Sequence, residues 1–172
     1  FEALRFKKLM FPVSETDTDF CPACPPGIVP ELYAITVCPE CFYANHSGRF
    51  ERFFGSPKER KVFLEEGNSL NRRKFAGGLS FSGRRDFFEA LKSFELAGNH
   101  CMDIRRAEWD SFYGDLMLKT SWLCRRMGMH LQEQEAQIRA LQHYMEIYRP
   151  YLGTGSGFPR KAEIMDRLPV GK

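Results

Sequence analysis

Two regimes of apolar spacing divide the chain. From Phe87 to Tyr148 the apolar positions recur at intervals of three and four, the repeat of helices that bury one face. Phe87, Ala90, Leu91, Phe94, Ala97 and Cys101 mark a first long helix, with Ser82 as its cap and residues 99–103 as the following connection. Asp103 is the next cap, and Trp109, Phe112, Tyr113, Leu116, Thr120 and Leu123 form the second stripe. Gly128 terminates that helix behind Arg125 and Arg126, cations that suit the negative end of a helix. Ile138, Leu141, Met145 and Tyr148 form the third stripe, Glu135 and Arg139 pair across one turn, and Pro150 stops the helix. Helices of this length with short connections predict antiparallel neighbours. Ala90, Ala97 and Ala140 serve as small contacts between large aromatics, the look of tetratricopeptide repeats.

Upstream the spacing shortens. Residues 3–11 read as a short strand, and residues 31–37 (Glu-Leu-Tyr-Ala-Ile-Thr-Val) as a β-branched and aromatic strand that delivers the chain into Cys38. Ser14 to Asp19 is a polar turn, read as a solvated loop whose side chains cap backbone amides rather than as a cation site. Ser56 as cap, Pro57 at the first position and Glu59 completing a capping box start a helix. It is expected to run to about Glu66, where Gly67-Asn68 ends or interrupts it; a basic cluster at residues 71–74 and a hinge at Gly77-Gly78 follow. The expected organisation is an α+β, mostly α chain: a zinc-ribbon-like β module over residues 1–55, antiparallel tetratricopeptide-like helices over 56–152, and a tail over 153–172. The tail opens with the flexible run Gly153-Thr154-Gly155-Ser156-Gly157, which lacks the Gly-Lys-Ser/Thr ending of a phosphate loop, and holds a short helix at residues 162–168.

The two C-x2-C pairs change this picture most. Cys21-Pro22-Ala23-Cys24 and Cys38-Pro39-Glu40-Cys41 are separated by thirteen residues, a spacing at which four thiolates can meet at one tetrahedral zinc. So small a module buries little surface, and metal binding would supply much of its folding free energy. A four-thiolate site is coordinatively closed, so the expected role of Zn2+ is structural and the expected protein is not an enzyme. His46 is read as a surface residue, because four cysteines suffice. A redox-active dithiol would open a helix, whereas Pro25-Pro26-Gly27 follows the first pair. Cys101 and Cys124 read as buried small hydrophobes, and Trp109 and Trp122 as core.

With 172 residues and 43% hydrophobic content the chain can bury a sizeable core. No apolar run approaches the roughly 18 residues of a membrane span. Cysteine usage favours zinc over disulfides and a reducing cytoplasm. A net charge of +3 neither demands nor forbids nucleic acid. The first residue is Phe1, which reads as a fragment, a processed form or the ordered part of a longer protein.

Asp17-Thr18-Asp19-Phe20-Cys21, Pro30 with Tyr33, and Val37-Cys38-Pro39 with Cys41, Tyr43 and Ala44 resemble the N-terminal module of a bacterial family called domain of unknown function 2225. Arg84, Arg85, Ala90-Leu91, Ser93-Phe94, Leu96-Ala97 and Thr120-Ser121-Trp122-Leu123-Cys124-Arg125 are similar to its helical part. The resemblance implies a cytoplasmic bacterial protein with a zinc-ribbon-like head, a tetratricopeptide-like body and no established activity. It also implies a further C-x2-C upstream of the region equivalent to Phe1, partnering Cys38 and Cys41, which makes these two the firmer ligands of the four.

The expected function is that of a non-enzymatic zinc-binding scaffold that takes a protein partner in a helical groove. The alternative is nucleic-acid binding by the zinc ribbon, with Arg72, Arg73, Lys74, Arg84 and Arg85 as a basic neighbourhood and Arg105, Arg106, Arg125 and Arg126 adding to it.

Overall fold

Short-range spacing in the first part of the chain and long helical stripes in the second give a chain that divides into two compact units, Phe1–His100 and Cys101–Lys172. The computed structural model describes residues 15–50, 61, 65–103 and 109–149. The expected strand at 3–11, the capping box at Ser56–Glu59, the arginines Arg105 and Arg106 and the whole tail lie outside the described residues, as do the side chains of Cys101 and Trp109. The described part is mostly helical with one small antiparallel sheet, and no helix in it is long and apolar enough to cross a membrane.

In the first unit a 3-10 helix, Pro30–Tyr33, leads into strand β1, Ile35–Val37, which pairs antiparallel with β2, Ala44–His46. The expected strand over 31–37 is therefore half as long as its composition suggests. Pro30 pre-sets the first helical φ, and the Ala34 amide turns back to the Glu31 carbonyl at 3.2 Å. The hairpin is tied by its own polar residues. The Thr36 hydroxyl donates to Ser47 Oγ at 3.1 Å, and the Ser47 hydroxyl lies 3.1 Å from both the Tyr33 and Ala34 carbonyls. Asn45 Nδ2 donates to the buried Tyr43 hydroxyl at 2.8 Å.

Helix α1, Glu66–Ala76, runs through Gly67-Asn68 rather than ending there; the break falls two residues before Gly67, where Glu65 is extended (φ −52°, ψ 132°). Gly77, at φ 60°, caps α1 in the left-handed region, so the glycine pair is a helix terminus. Helix α2, Phe87–Asp103, is not capped by Ser82. Asp86 Oδ1 accepts from the Glu89 amide at 2.8 Å and Glu89 Oε2 from the Asp86 amide at 3.1 Å, a complete capping box. The helix also continues through Asn99 to Asp103: Leu96, Ala97 and Gly98 are buried, and burial outweighs the weak helix preference of Gly and Asn. Ala90, Ser93, Phe94 and Ala97 are fully buried, and Lys92 reaches across to the Phe75 ring of α1 at 4.5 Å from its centroid.

The second unit pairs α3, Trp109–Arg126, with α4, His130–Tyr148. The turn between them is a Schellman motif: the Met129 amide donates to the Cys124 carbonyl at 2.9 Å and the Gly128 amide to Arg125 at 3.1 Å, with Gly128 at φ 71°. Arg125 Nε closes the same corner on Glu133 Oε1 at 2.6 Å. Phe112, Leu116 and Leu123 of the predicted α3 stripe are buried, together with Met117, Trp122 and Cys124. On α4 the buried residues are Ala136 and Ala140, not the predicted stripe. Small residues win this face because the helices lie close: a Cβ on Gly114 of α3 would stand 3.0 Å from the Tyr144 ring. Ile138, Leu141 and Met145 are exposed on the opposite side of α4.

Candidate metal centre: the cysteine turns

Cys38 and Cys41 stand in the loop of the β1–β2 hairpin. The Cys38 amide donates to the Tyr43 carbonyl at 2.7 Å, and the Phe42 amide to the Cys38 carbonyl at 3.0 Å. Phe42 takes φ 54°, a left-handed backbone that a phenylalanine adopts only when its surroundings hold it there. Its ring meets Phe81 edge-on, centroids 6.4 Å apart. This tight turn sets the two thiols close enough to influence each other's ionisation. Burial pushes the Cys41 thiol above its ordinary pKa; the Cys38 thiol acts in the same direction, while the Tyr43 backbone and Arg72 act against it.

Helix α1 clamps the turn from outside. Arg72 Nε donates to the Cys41 carbonyl at 2.9 Å, and Arg73 Nη2 to the Glu40 carbonyl at 3.0 Å. Two consecutive arginines thus satisfy two consecutive loop carbonyls of the knuckle, leaving its sulfurs for other chemistry.

Cys21 and Cys24 occupy a separate turn. Thr16 and Pro22 form an isolated antiparallel bridge, the Asp17 amide donates to the Cys21 carbonyl at 2.9 Å, and the Ala23 amide to the Glu15 carbonyl at 2.9 Å. Asp19 Oδ1 accepts from the Cys21 amide at 3.1 Å and Asp17 Oδ1 from the Thr18 amide at 2.7 Å, so the acidic loop does cap its own backbone. Cys21 is buried and Cys24 half-exposed. Both pairs, and the buried Cys124, are thiols.

The structure brings Cys38 and Cys41 together. Among the described residues no three His, Cys, Asp or Glu side chains gather into a group that could hold a metal ion. The donor set fits zinc by halves: each turn offers two soft sulfurs at the knuckle spacing. His46 stands opposite Ile35, at the end of the hairpin away from its Cys38–Cys41 loop, where its Nδ1 accepts from the Gly48 amide at 3.3 Å.

The basic neighbourhood has structural employment. Arg85 is 9% exposed. Its Nη1 donates to the Ile35 carbonyl at 2.5 Å and its Nη2 to the Phe81 carbonyl at 3.2 Å, while its backbone amide donates to the Tyr33 hydroxyl at 3.1 Å. The guanidinium also lies 5.7 Å from the Phe81 ring centroid and 6.0 Å from that of Tyr33. Burial lowers its pKa, and Glu89 and Tyr33 act against that shift. Spacing alone could not reveal this residue as the pin joining the 3-10 helix, β1 and the approach to α2. The only signal was an Arg next to an apolar stripe.

No curated protein and no solved structure matches the chain. The profile of one family does match, over residues 1–152, and that family is described as "uncharacterized protein conserved in bacteria (DUF2225)". With every described residue inside the match, the chain belongs to this bacterial family, domain of unknown function 2225.

Proposed function

We propose that the protein is a non-enzymatic scaffold: a zinc-ribbon-like head held by Cys21, Cys24, Cys38 and Cys41, joined to tetratricopeptide-like helices that dock a protein partner in a reducing cytoplasm. The observation that carries the docking half is the outer face of α4. Leu131, Ile138, Leu141 and Met145 are 79, 57, 60 and 48% exposed, on one side of a helix whose opposite side buries Ala136 and Ala140. Water-facing large apolar side chains at helical spacing mark a surface that buries on binding. The head reading is supported by the Cys38–Cys41 turn, whose paired thiols and α1 clamp present half of a tetrahedral site. The nucleic-acid alternative loses support where Arg72, Arg73, Arg85 and Arg125 are spent on protein carbonyls and Glu133.

Two arms test the reading. Purified protein should carry about one zinc per chain, and Cys38→Ser and Cys41→Ser should each release it; full retention in both variants defeats the head. For docking, a photo-cross-linker at the exposed Gln134 should capture a defined protein in cells, and Ile138→Glu should abolish that capture. Unchanged capture in that variant defeats the docking face.

A further inference from the structure

The outer stripe of α4 is narrow and nearly symmetric along the helix. Residues 131, 138 and 145 are spaced by seven and Leu141 lies between the last two, which is the seam of a two-helix coiled coil rather than a flat patch. Ile138 and Leu141 straddle the middle of a helix that runs from His130 to Tyr148. We infer that this face pairs with the same face of a second copy, the two α4 helices running antiparallel about a twofold axis at their centre. This rests on the reading of the face as a protein-docking surface.

In that arrangement the helices overlap along their whole length. Ile138 meets Leu141 of the second copy, and by symmetry Leu141 meets Ile138. Leu131 faces Tyr148, and Met145 faces Gln134. A twofold interface must be complementary to itself, and the central Ile138–Leu141 pairs, flanked by Leu131 against Tyr148, meet that condition. Charge does not oppose it. Glu135 is paired with Arg139 at 2.5 Å and Glu146 with Arg149 at 2.6 Å within each helix, so the stripe's borders carry no net charge to repel a copy. Four side chains per copy, each hiding on the order of 100 Å², remove roughly 800 Å² from two copies. That is below the roughly 1,200 Å² of stable specific interfaces, so the dimer is a weak one that forms and separates with concentration.

Sedimentation equilibrium of the full chain tests this. At tens of micromolar the mass should approach twice that of one chain, and Ile138→Glu and Leu141→Lys should each return it to one. The double variant I138E/L141K should restore the doubled mass, because the antiparallel register sets the new carboxylate against the new ammonium of the other copy. All four positions of the stripe are solvent-facing, and unchanged helical circular dichroism separates dissociation from unfolding. A single-chain mass throughout, or a doubled mass indifferent to both single variants, overturns self-pairing. If the chain is monomeric and a cross-linker at Gln134 captures a different protein in an Ile138-dependent way, self-pairing falls and docking stands. If it captures residues 151–172 of its own chain, the tail is the occupant and self-pairing falls. If it captures nothing, both readings fall.

Discussion

The β1–β2 hairpin and the α3–α4 pair are held by opposite means. The hairpin has three residues per strand and too little apolar area to hold itself. To the bonds among its own polar residues it adds directional bonds from distant arginines: Arg85 to Ile35, and Arg72 and Arg73 to Cys41 and Glu40. The helix pair has one such pin, Arg125 to Glu133 at its corner, and otherwise relies on packing. It is joined by close approach of Gly114 and Tyr144, by the buried Ala136 and Ala140, and by a Schellman turn. The hairpin should therefore fail when one polar residue is removed, and the helix pair when one volume is changed.

The largest effect should follow Arg85→Ala. It leaves the Ile35 and Phe81 carbonyls without their buried donor, and it opens a void between the Tyr33 and Phe81 rings. Losses of this type cost about 3 kcal/mol or more. Amide exchange at Ile35, Thr36 and Val37 should accelerate more than a hundredfold while the amides of α3 and α4 keep their protection. Arg85→Lys should recover little, since one ammonium cannot serve diverging carbonyls with the planar fork of a guanidinium. Equal loss of protection in both regions would erase the contrast between them.

The same contrast explains what could be read from the chain beforehand. The mostly helical class, the Gly128 terminus and the Glu135–Arg139 pair follow from local rules: period, turn chemistry and i,i+4 geometry. Features that depend on a partner far along the chain were less visible. Arg72, Arg73 and Arg85 look like surface charge until the carbonyls they bind are known. The α4 stripe looks like core because periodicity reports which residues share a face, not which of two faces is buried. There the close approach at Gly114 selects the alanine side. Ser82 yielded its capping role to Asp86 because Glu89 can complete the box only with Asp86. At the cysteine turns, spacing marks the two C-x2-C pairs but does not encode the distance between them.

A medium effect should sharpen the volume half of the comparison. Gly114→Ala gains about 1 kcal/mol of helix propensity and sets a Cβ at 3.0 Å from Tyr144 Cε1 and 3.2 Å from Cζ. Overpacking of that kind costs about 1–3 kcal/mol, so the single variant should lose about 1 kcal/mol in denaturant unfolding. In a Tyr144→Ala background the same substitution should become stabilising by about 1 kcal/mol. A coupling near zero between the two positions would show that the helices are not held by this contact.

The smallest effect belongs to the Tyr144 hydroxyl. Burial pushes this phenol above its ordinary value, and Asp115 and then Tyr148 push it further the same way. The unfolded chain then releases the proton first, at about pH 10. Above that pH the native state binds more protons than the unfolded state, so stability falls as pH rises; below it the contribution is fully present. The ceiling is about 1.4 kcal/mol per pH unit, and solvent at the half-exposed ring lowers it to about a few tenths. Tyr144→Phe should therefore flatten the alkaline decline of helix-pair stability between about pH 10 and 11, leaving the curve below pH 9 parallel to that of the parent protein. Identical slopes for the two proteins across the alkaline range would mean that the ring adjoining Gly114 is hydrated in the native state. The helix pair would then be looser at this point than the 3.0 Å approach requires.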